Sequence, residues 1–274
     1  MKSQKTIFVA LVLILLASFY AQSQDREQLT VPVSDPTKEI KLNANLISGS
    51  IKVIGYDGKD IIIDAIAPVS EKKQNRERAD GMKKISTNDG FEIVAREQNN
   101  TVNVSTDRVN MKVNLSIKVP HKASLKLKTI NDGDIYVENV NGNHEISNIN
   151  GEIKMKNVAG SVVANTINED IIINFTSITP NTPMAFTTLN GNVDVTFPAT
   201  VKANVKLKSD MGEVLTDFDI DVDKTAAKIK QTADKEKGLY KIQKDEWTYG
   251  KINGGGPEIM MKTMHGDVLI RKIK

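Results

Sequence analysis

The 274-residue chain contains no cysteine. That absence excludes disulfide staples, thiolate nucleophiles and cysteine metal ligands. It also excludes a lipid-modified N-terminus, which requires a cysteine. Aromatic residues make up 5% of the chain, with a single tryptophan. So few rings argue against a base-stacking surface and against an aromatic platform for sugars. There are three histidines, His121, His144 and His265, and no two stand at metal-ligand spacing. No charge sign is in large excess. The formal charge is +3 and falls to about +1 once Lys2 and Lys5 are set aside. Basic and acidic residues are interspersed, so the chain lacks the electrostatic footprint of a nucleic-acid binder.

One apolar run is present, Ile7 to Ala17, preceded by Lys2 and Lys5 and followed by Ala21-Gln22-Ser23. A basic start, a short apolar stretch and small residues at the end predict a signal peptide over residues 1–23. The run is shorter than the ~20 residues a membrane-spanning helix needs. Residues 24–274 are then predicted to form a single exported domain, periplasmic or on the cell surface, with no transmembrane span.

Within that domain one nine-residue phrase recurs. Between Asn131 and Phe175 it reads NDGDIYVEN, VNGNHEISN, INGEIKMKN, VAGSVVANT and INEDIIINF, with pivots at Gly133, Gly142, Gly151, Gly160 and Glu169. Looser copies surround Gly49, Gly191, Gly212 and Gly266. A short fixed period implies stacked strand-and-turn units. Counting from the pivot, positions +2 (Ile135, His144, Ile153, Val162, Ile171) and +4 (Val137, Ile146, Met155, Ala164, Ile173) are predicted to face inward. Position +7 (Val140, Ile149, Val158, Ile167) is predicted to do the same. Positions +3 and +5 are predicted to face water. The glycines serve as structural turn positions, where a corner needs a positive φ that glycine adopts freely. Glu169 breaks that rule and predicts a different or strained corner.

Two architectures fit the period. Residues 18 apart match chemically (Gly133 with Gly151, Ile135 with Ile153, Asn139 with Asn157), which predicts an all-β, right-handed parallel β-helix or β-solenoid of about nine residues per strand-turn unit. Asn-Gly between alternating runs equally suits an antiparallel β-meander sandwich. Two polar insertions interrupt the pattern. Residues 68–90 read as a charged surface connection, with a helical turn or two starting at Ser70. Residues 219–256 include KTAAKIKQTADKEKG, helical or mobile, then Trp247, Tyr249 and Asn253-Gly254-Gly255-Gly256.

The phrases SGSIKVIGYDGKDIIIDA, SIKVPHKASLKLKTINDGDIYVENVNG and INGGGPEIMMKTMHGDVLIRK resemble the bacterial putative adhesin family, an exported group of unknown function. The resemblance runs from about residue 38 to the end and rests on structural motifs. It implies a β-helix-like fold and an adhesion or scaffold role at the cell envelope, and it supplies no catalytic residues.

Reactive constellations are correspondingly scarce. Asp217, Asp219, Asp221 and Asp223 alternate with apolar residues, so one strand would carry all four carboxylates on one face. That face would be either solvated or a hard-cation site. The nine-residue period resembles calcium-binding nonapeptides, yet their Gly-Gly and Asp placements are missing. Asn253–Gly256 lacks the Lys-Ser or Lys-Thr of a phosphate loop, and no Gly-x-Ser-x-Gly elbow occurs. The sequence therefore predicts a non-catalytic envelope protein, without cofactor or metal, that presents a β surface to an envelope protein or a glycan. A sensory or regulatory component acting through the 219–256 segment is the alternative, and a carbohydrate-active β-helix enzyme is a third reading by fold analogy alone.

Overall fold

A computed structural model describes residues 26–66, 92–106, 112–223, 229–234, 239–244 and 247–274, with backbone only for 26–27 and 229–244. The predicted signal peptide and the 68–90 connection lie outside the described residues. The first strands are β1 (Arg26–Val31), β2 (Ile40–Asn45), β3 (Ile51–Tyr56), β4 (Ile61–Ile66), β5 (Ile93–Gln98), β6 (Thr101–Thr106), β7 (Asn114–Pro120) and β8 (Ala123–Lys128). The repeated phrases form β9 (Ile135–Glu138), β10 (Asn141–Ser147), β11 (Ile153–Asn165) and β12 (Ile171–Ile178). There follow β13 (Met184–Thr187), β14 (Val193–Phe197), β15 (Ala203–Ser209), β16 (Val214–Thr216) and β17 (Ile220–Val222). The last are β18 (Ile229–Asp234), β19 (Leu239–Lys244), β20 (Thr248–Ile252), β21 (Glu258–Thr263) and β22 (Val268–Lys272). Among the described residues there is no helix, and so none long and apolar enough to cross a membrane.

The β-branched, alternating strands bury every second side chain. One column runs Ile51, Ile135, Ile153, Ile171, Val193 and Val268 through successive in-register parallel pairs, each residue essentially inaccessible to water. A second runs Val53, Val137, Met155, Ile173, Val195 and Ile270 beside it. Each such side chain contributes roughly 1.5–3 kcal/mol by leaving water. Facing these columns across the core are Leu42, Leu125, Val162, Ala164 and Phe186, all buried. The 13-residue strand β11 pairs with β9 and β12 near its start and with β10 and β13 near its end, joining the two walls.

The expected right-handed parallel β-helix is not what forms, and neither is the antiparallel meander. Pairing at an offset of 18 is local: it links Ile135 to Ile153 and Ile153 to Ile171, after which Ile171 meets Val193 and Val193 meets Val268. Around this parallel centre, β1–β4, β4–β7, β5–β6, β15–β20 and β17–β20 are antiparallel. Twenty strands thus make one mixed sheet that wraps a single apolar core in a nearly closed, barrel-like shape. The physical cause lies in the reversals. Asn99 and Asn100 both take positive φ (53° and 61°), the two-residue turn that closes an antiparallel hairpin, and they join β5 to β6. Asn253, Gly254 and Gly255 (49°, 86° and 89°) turn the chain between β20 and β21, which flank β15 in opposite directions. Within KTAAKIKQTADKEKG, the described residues are strand and not helix, since β18 and β19 pair antiparallel.

Position +7 also departs from expectation. Val140 and Val158 are buried, but Ile149 is half-buried and Ile167 is exposed. The residue before it points inward instead. Buried Asn148 and Thr166 donate to the main-chain carbonyls of Gly133 (3.0 Å) and Gly151 (3.1 Å). Thr129, Thr188, Thr263 and Ser209 do the same for Gly49, Glu169, Gly191 and Gly266. A carbonyl turned toward the core must find a donor. A short hydroxyl or amide at this place supplies one at corner after corner.

His144 occupies an inward slot between Leu125 and Val162 in register. It is buried, and neither ring nitrogen makes a hydrogen bond of good geometry. Desolvation lowers its pKa from 6.5 to about 4, with the main-chain groups of Val140 and Ala159 opposing the shift. Above pH 6.5 the imidazole is neutral whether the chain is folded or not. Between pH 6.5 and about 4 only the unfolded chain takes the proton, so stability falls as pH falls through this window. The loss reaches on the order of 3 kcal/mol by pH 4. His144→Val makes the column aliphatic throughout. Its melting temperature is expected to exceed that of the parent protein at pH 4.5 and to change less with pH. Parallel melting curves between pH 4 and 8 check this, and equal slopes for the two proteins would refute it.

Candidate functional site

The glycines named from sequence take two roles. Gly49, Gly160, Gly191 and Gly266 hold positive φ, from 107° to 141°. Gly133, Gly142, Gly151 and Gly212 do not, and their backbones pack directly on neighbouring carbonyls. A Cβ on Gly133 would lie 2.0 Å from Gly49 O, and one on Gly151 would lie 2.2 Å from Gly133 O. Glu169 has a φ of 95°, a conformation that strains a residue with a side chain. Beside these corners, Asn131, Asn150, Asn168 and Asn190 pass side-chain hydrogen bonds along a column at 3.2, 2.7 and 2.8 Å. These residues hold the corners together.

The three histidines are placed apart. His144 is in the core. His265 stacks on Asn190 at the end of the asparagine column. His121 bonds Asn139 O through Nδ1 (2.8 Å) and approaches Asp57 Oδ1 through Nε2 (3.3 Å). The expected single-strand aspartate stripe is broken. Asp217 and Asp219 flank buried Phe218 between β16 and β17, outside any strand, and Asp217 accepts the Lys272 amide at 2.6 Å. Among the described residues, no group of three His, Asp or Glu side chains is arranged to hold a metal ion.

The other two aspartates enter a different arrangement. Strand β17 pairs with β20, β20 with β15, and β15 with β21. This brings Asp221, Lys251, Asn204 and Glu258 into one row across four strands, all exposed. The adjacent row is Asp223, Tyr249, Lys206 and Met260, with the Asp223 amide donating to Tyr249 O at 2.9 Å. Trp247 precedes β20 and is half-buried. The Lys206 ammonium lies 4.7 Å from the Trp247 ring centroid and 6.0 Å from that of Tyr249. Such cation–π contacts contribute about 0.5–1 kcal/mol at exposed sites and fix the lysine against the rings. At the edge of the cluster Lys208 bonds Asp210 at 2.7 Å, and that bond holds the Asp210 carboxyl below its ordinary pKa.

Asp221, Asp223, Tyr249, Lys206, Lys251, Asn204 and Glu258 line an open cleft of about 560 Å³, with Trp247 beside it against Lys206. Its floor depends on Gly250, where a Cβ would strike the Ile220 side chain at 2.4 Å. Glycine there lets the short edge strand β17 dock and carry its carboxylates to the aromatic rows. Composition argued against an aromatic platform, yet topology gathers the only tryptophan and a tyrosine at one place. The alternation Trp247, Tyr249, Lys251 is the local signal that could have found it, because period two sets all three on one face. Its partners Lys206, Asn204 and Glu258 follow only from strand pairing.

The chain is an all-β protein with a polar-aromatic cleft on its outer surface. No protein-family model and no curated protein matches the chain. Among solved structures, a putative cell adhesion protein from Clostridium sporogenes is 14% identical and superposes with a TM-score of 0.50, covering 92% of this chain and 100% of that one. A putative adhesin from Bacteroides fragilis is also 14% identical, with a TM-score of 0.31 over 92% of this chain and 98% of that one. At this identity the first likeness establishes the fold. The chain thus shares its fold with that structure, in keeping with the family that the sequence motifs resemble.

Proposed function

We propose that the chain is an exported, non-catalytic envelope protein that uses its outer β surface to bind a protein or glycan of the cell envelope. The observation that carries this is the cleft lined by Tyr249, Lys206 and the Asp221–Glu258 row, with Trp247 against Lys206 at its side. It joins half-buried rings to exposed groups of both charges, as recognition sites do. The scattered placement of the histidines supports a binding role over acid–base chemistry. The shared adhesin-type fold and the N-terminal sequence support a place at the envelope or cell surface. Expression of the full chain in a bacterium followed by fractionation is expected to yield a shortened protein in the periplasmic or surface fraction. Purified protein is expected to cosediment saturably with isolated envelopes. Recovery of the intact chain from the cytoplasm, with no retention by envelopes above an unrelated β protein, would overturn the reading.

A further inference from the structure

We propose that the cleft at Tyr249, beside Trp247, binds a neutral glycan, an inference that rests on the surface-binding reading above. Trp247 stands just ahead of β20, two residues before Tyr249, and the polar row crosses neighbouring strands ~4.8 Å apart. The Tyr249 ring, which lines the cleft and which the Lys206 ammonium approaches only to 6.0 Å, offers an apolar face for the C–H side of a pyranose. The row Asp221, Lys251, Asn204, Glu258 alternates acceptors and donors. A ligand whose groups all both donate and accept matches such a row, and hydroxyls are that kind of group.

Charge and shape narrow the class. Asp221, Asp223 and Glu258 stand against Lys206 and Lys251, so neither a polyanion nor a polycation meets a complementary surface. Apart from Tyr249, the exposed apolar lining of the cleft is Val222, too little for the deep socket that anchors a peptide side chain. The edge strand β17 has three residues, a short template for adding a peptide strand. Lys206 is held over both rings before any ligand arrives, which limits the ordering that binding requires.

Trp247 is the only tryptophan and lies against Lys206 of the cleft, so its emission reports changes at Lys206. The full chain is titrated with neutral oligosaccharides of hexose and N-acetylhexosamine units, with a polyuronate and with an extended peptide as comparisons. A saturable change in emission with at least one neutral oligosaccharide is expected. Tyr249→Ala and Asp221→Ala, both outward substitutions with unchanged melting expected, should weaken it about tenfold or more. The proposal is overturned if no neutral oligosaccharide changes the emission. It is also overturned if the response survives undiminished in both variants, or if only the peptide or polyuronate produces it. Envelope cosedimentation of the same preparations separates the two readings. Retention without any sugar response removes the glycan and leaves the surface-binding role, whereas loss of both removes both.

Discussion

Ile153→Asp is expected to leave the chain without a cooperative unfolding transition. Ile153 sits at the middle of the parallel centre, in register with Ile135 on one side and Ile171 on the other. All three are fully removed from water, as are Ile51 and Val193 further along the column. A carboxylate at 153 would have no cation among these neighbours. Burying it unpaired costs several kcal/mol even after relaxation. Protonation would remove the charge but leave a polar group among aliphatic side chains, with the Ile transfer energy also lost. The total is comparable to the whole stability of a domain, about 5–15 kcal/mol. Circular dichroism with a thermal ramp reads the result. Lys154→Asp, one residue on and facing outward, is the control and should melt within a few degrees of the parent protein. If both variants melted like the parent, the inward assignment of position 153 would be wrong.

That control shows which part of the fold was legible in sequence. Period two identifies the two faces of a strand, and positions +2 and +4 are buried through all five phrases. Pairing at 18 residues followed from chemical matching, because stacked strands place like on like. The global fold did not follow, because the direction of a strand is decided by its turns. Asn99-Asn100 and Asn253-Gly254-Gly255 send the chain back on itself, and no periodicity encodes that. Position +7 misled for a related reason. An isoleucine such as Ile167 looks like core, but the corner carbonyls demand an inward donor one residue earlier, and Thr166 takes that place. The cleft was the least legible. Trp247 and Tyr249 were visible as residues, whereas Lys206, Asn204 and Asp221 join them through strand pairs spanning up to 47 positions. Low aromatic content describes the chain as a whole, while a binding surface needs only two rings in one place.

Phe175→Ala is expected to cost about 3–5 kcal/mol, the range for removing a buried phenylalanine. Phe175 lies on β12, paired with Val158 of β11. In β9 and β11 the chain bends at Asn139 and Asn157, both at positive φ, and β11 carries register shifts between Met155 and Ala159. Strand β12 has no such asparagine and runs unbroken from Ile171 to Ile178. The interior beside it is filled by rings. Phe175 stacks on Phe197 with centroids 5.1 Å apart and planes 6° from parallel, and it meets Phe186 edge-on at 6.3 Å and 71°. All three are among the most completely buried side chains of the molecule. Removing Phe175 takes away the ring common to both pairs, each worth ~0.5–1.5 kcal/mol beyond its area. Phe175→Leu restores much of the volume without the ring geometry and should cost less than the alanine variant. Denaturant melts test the order parent, Leu, Ala in falling midpoint, with a slope unchanged if the denatured state is unaffected. An alanine variant within about 1 kcal/mol of the parent would mean that the neighbouring strands close over the gap, and that the three rings do not set the width of the core.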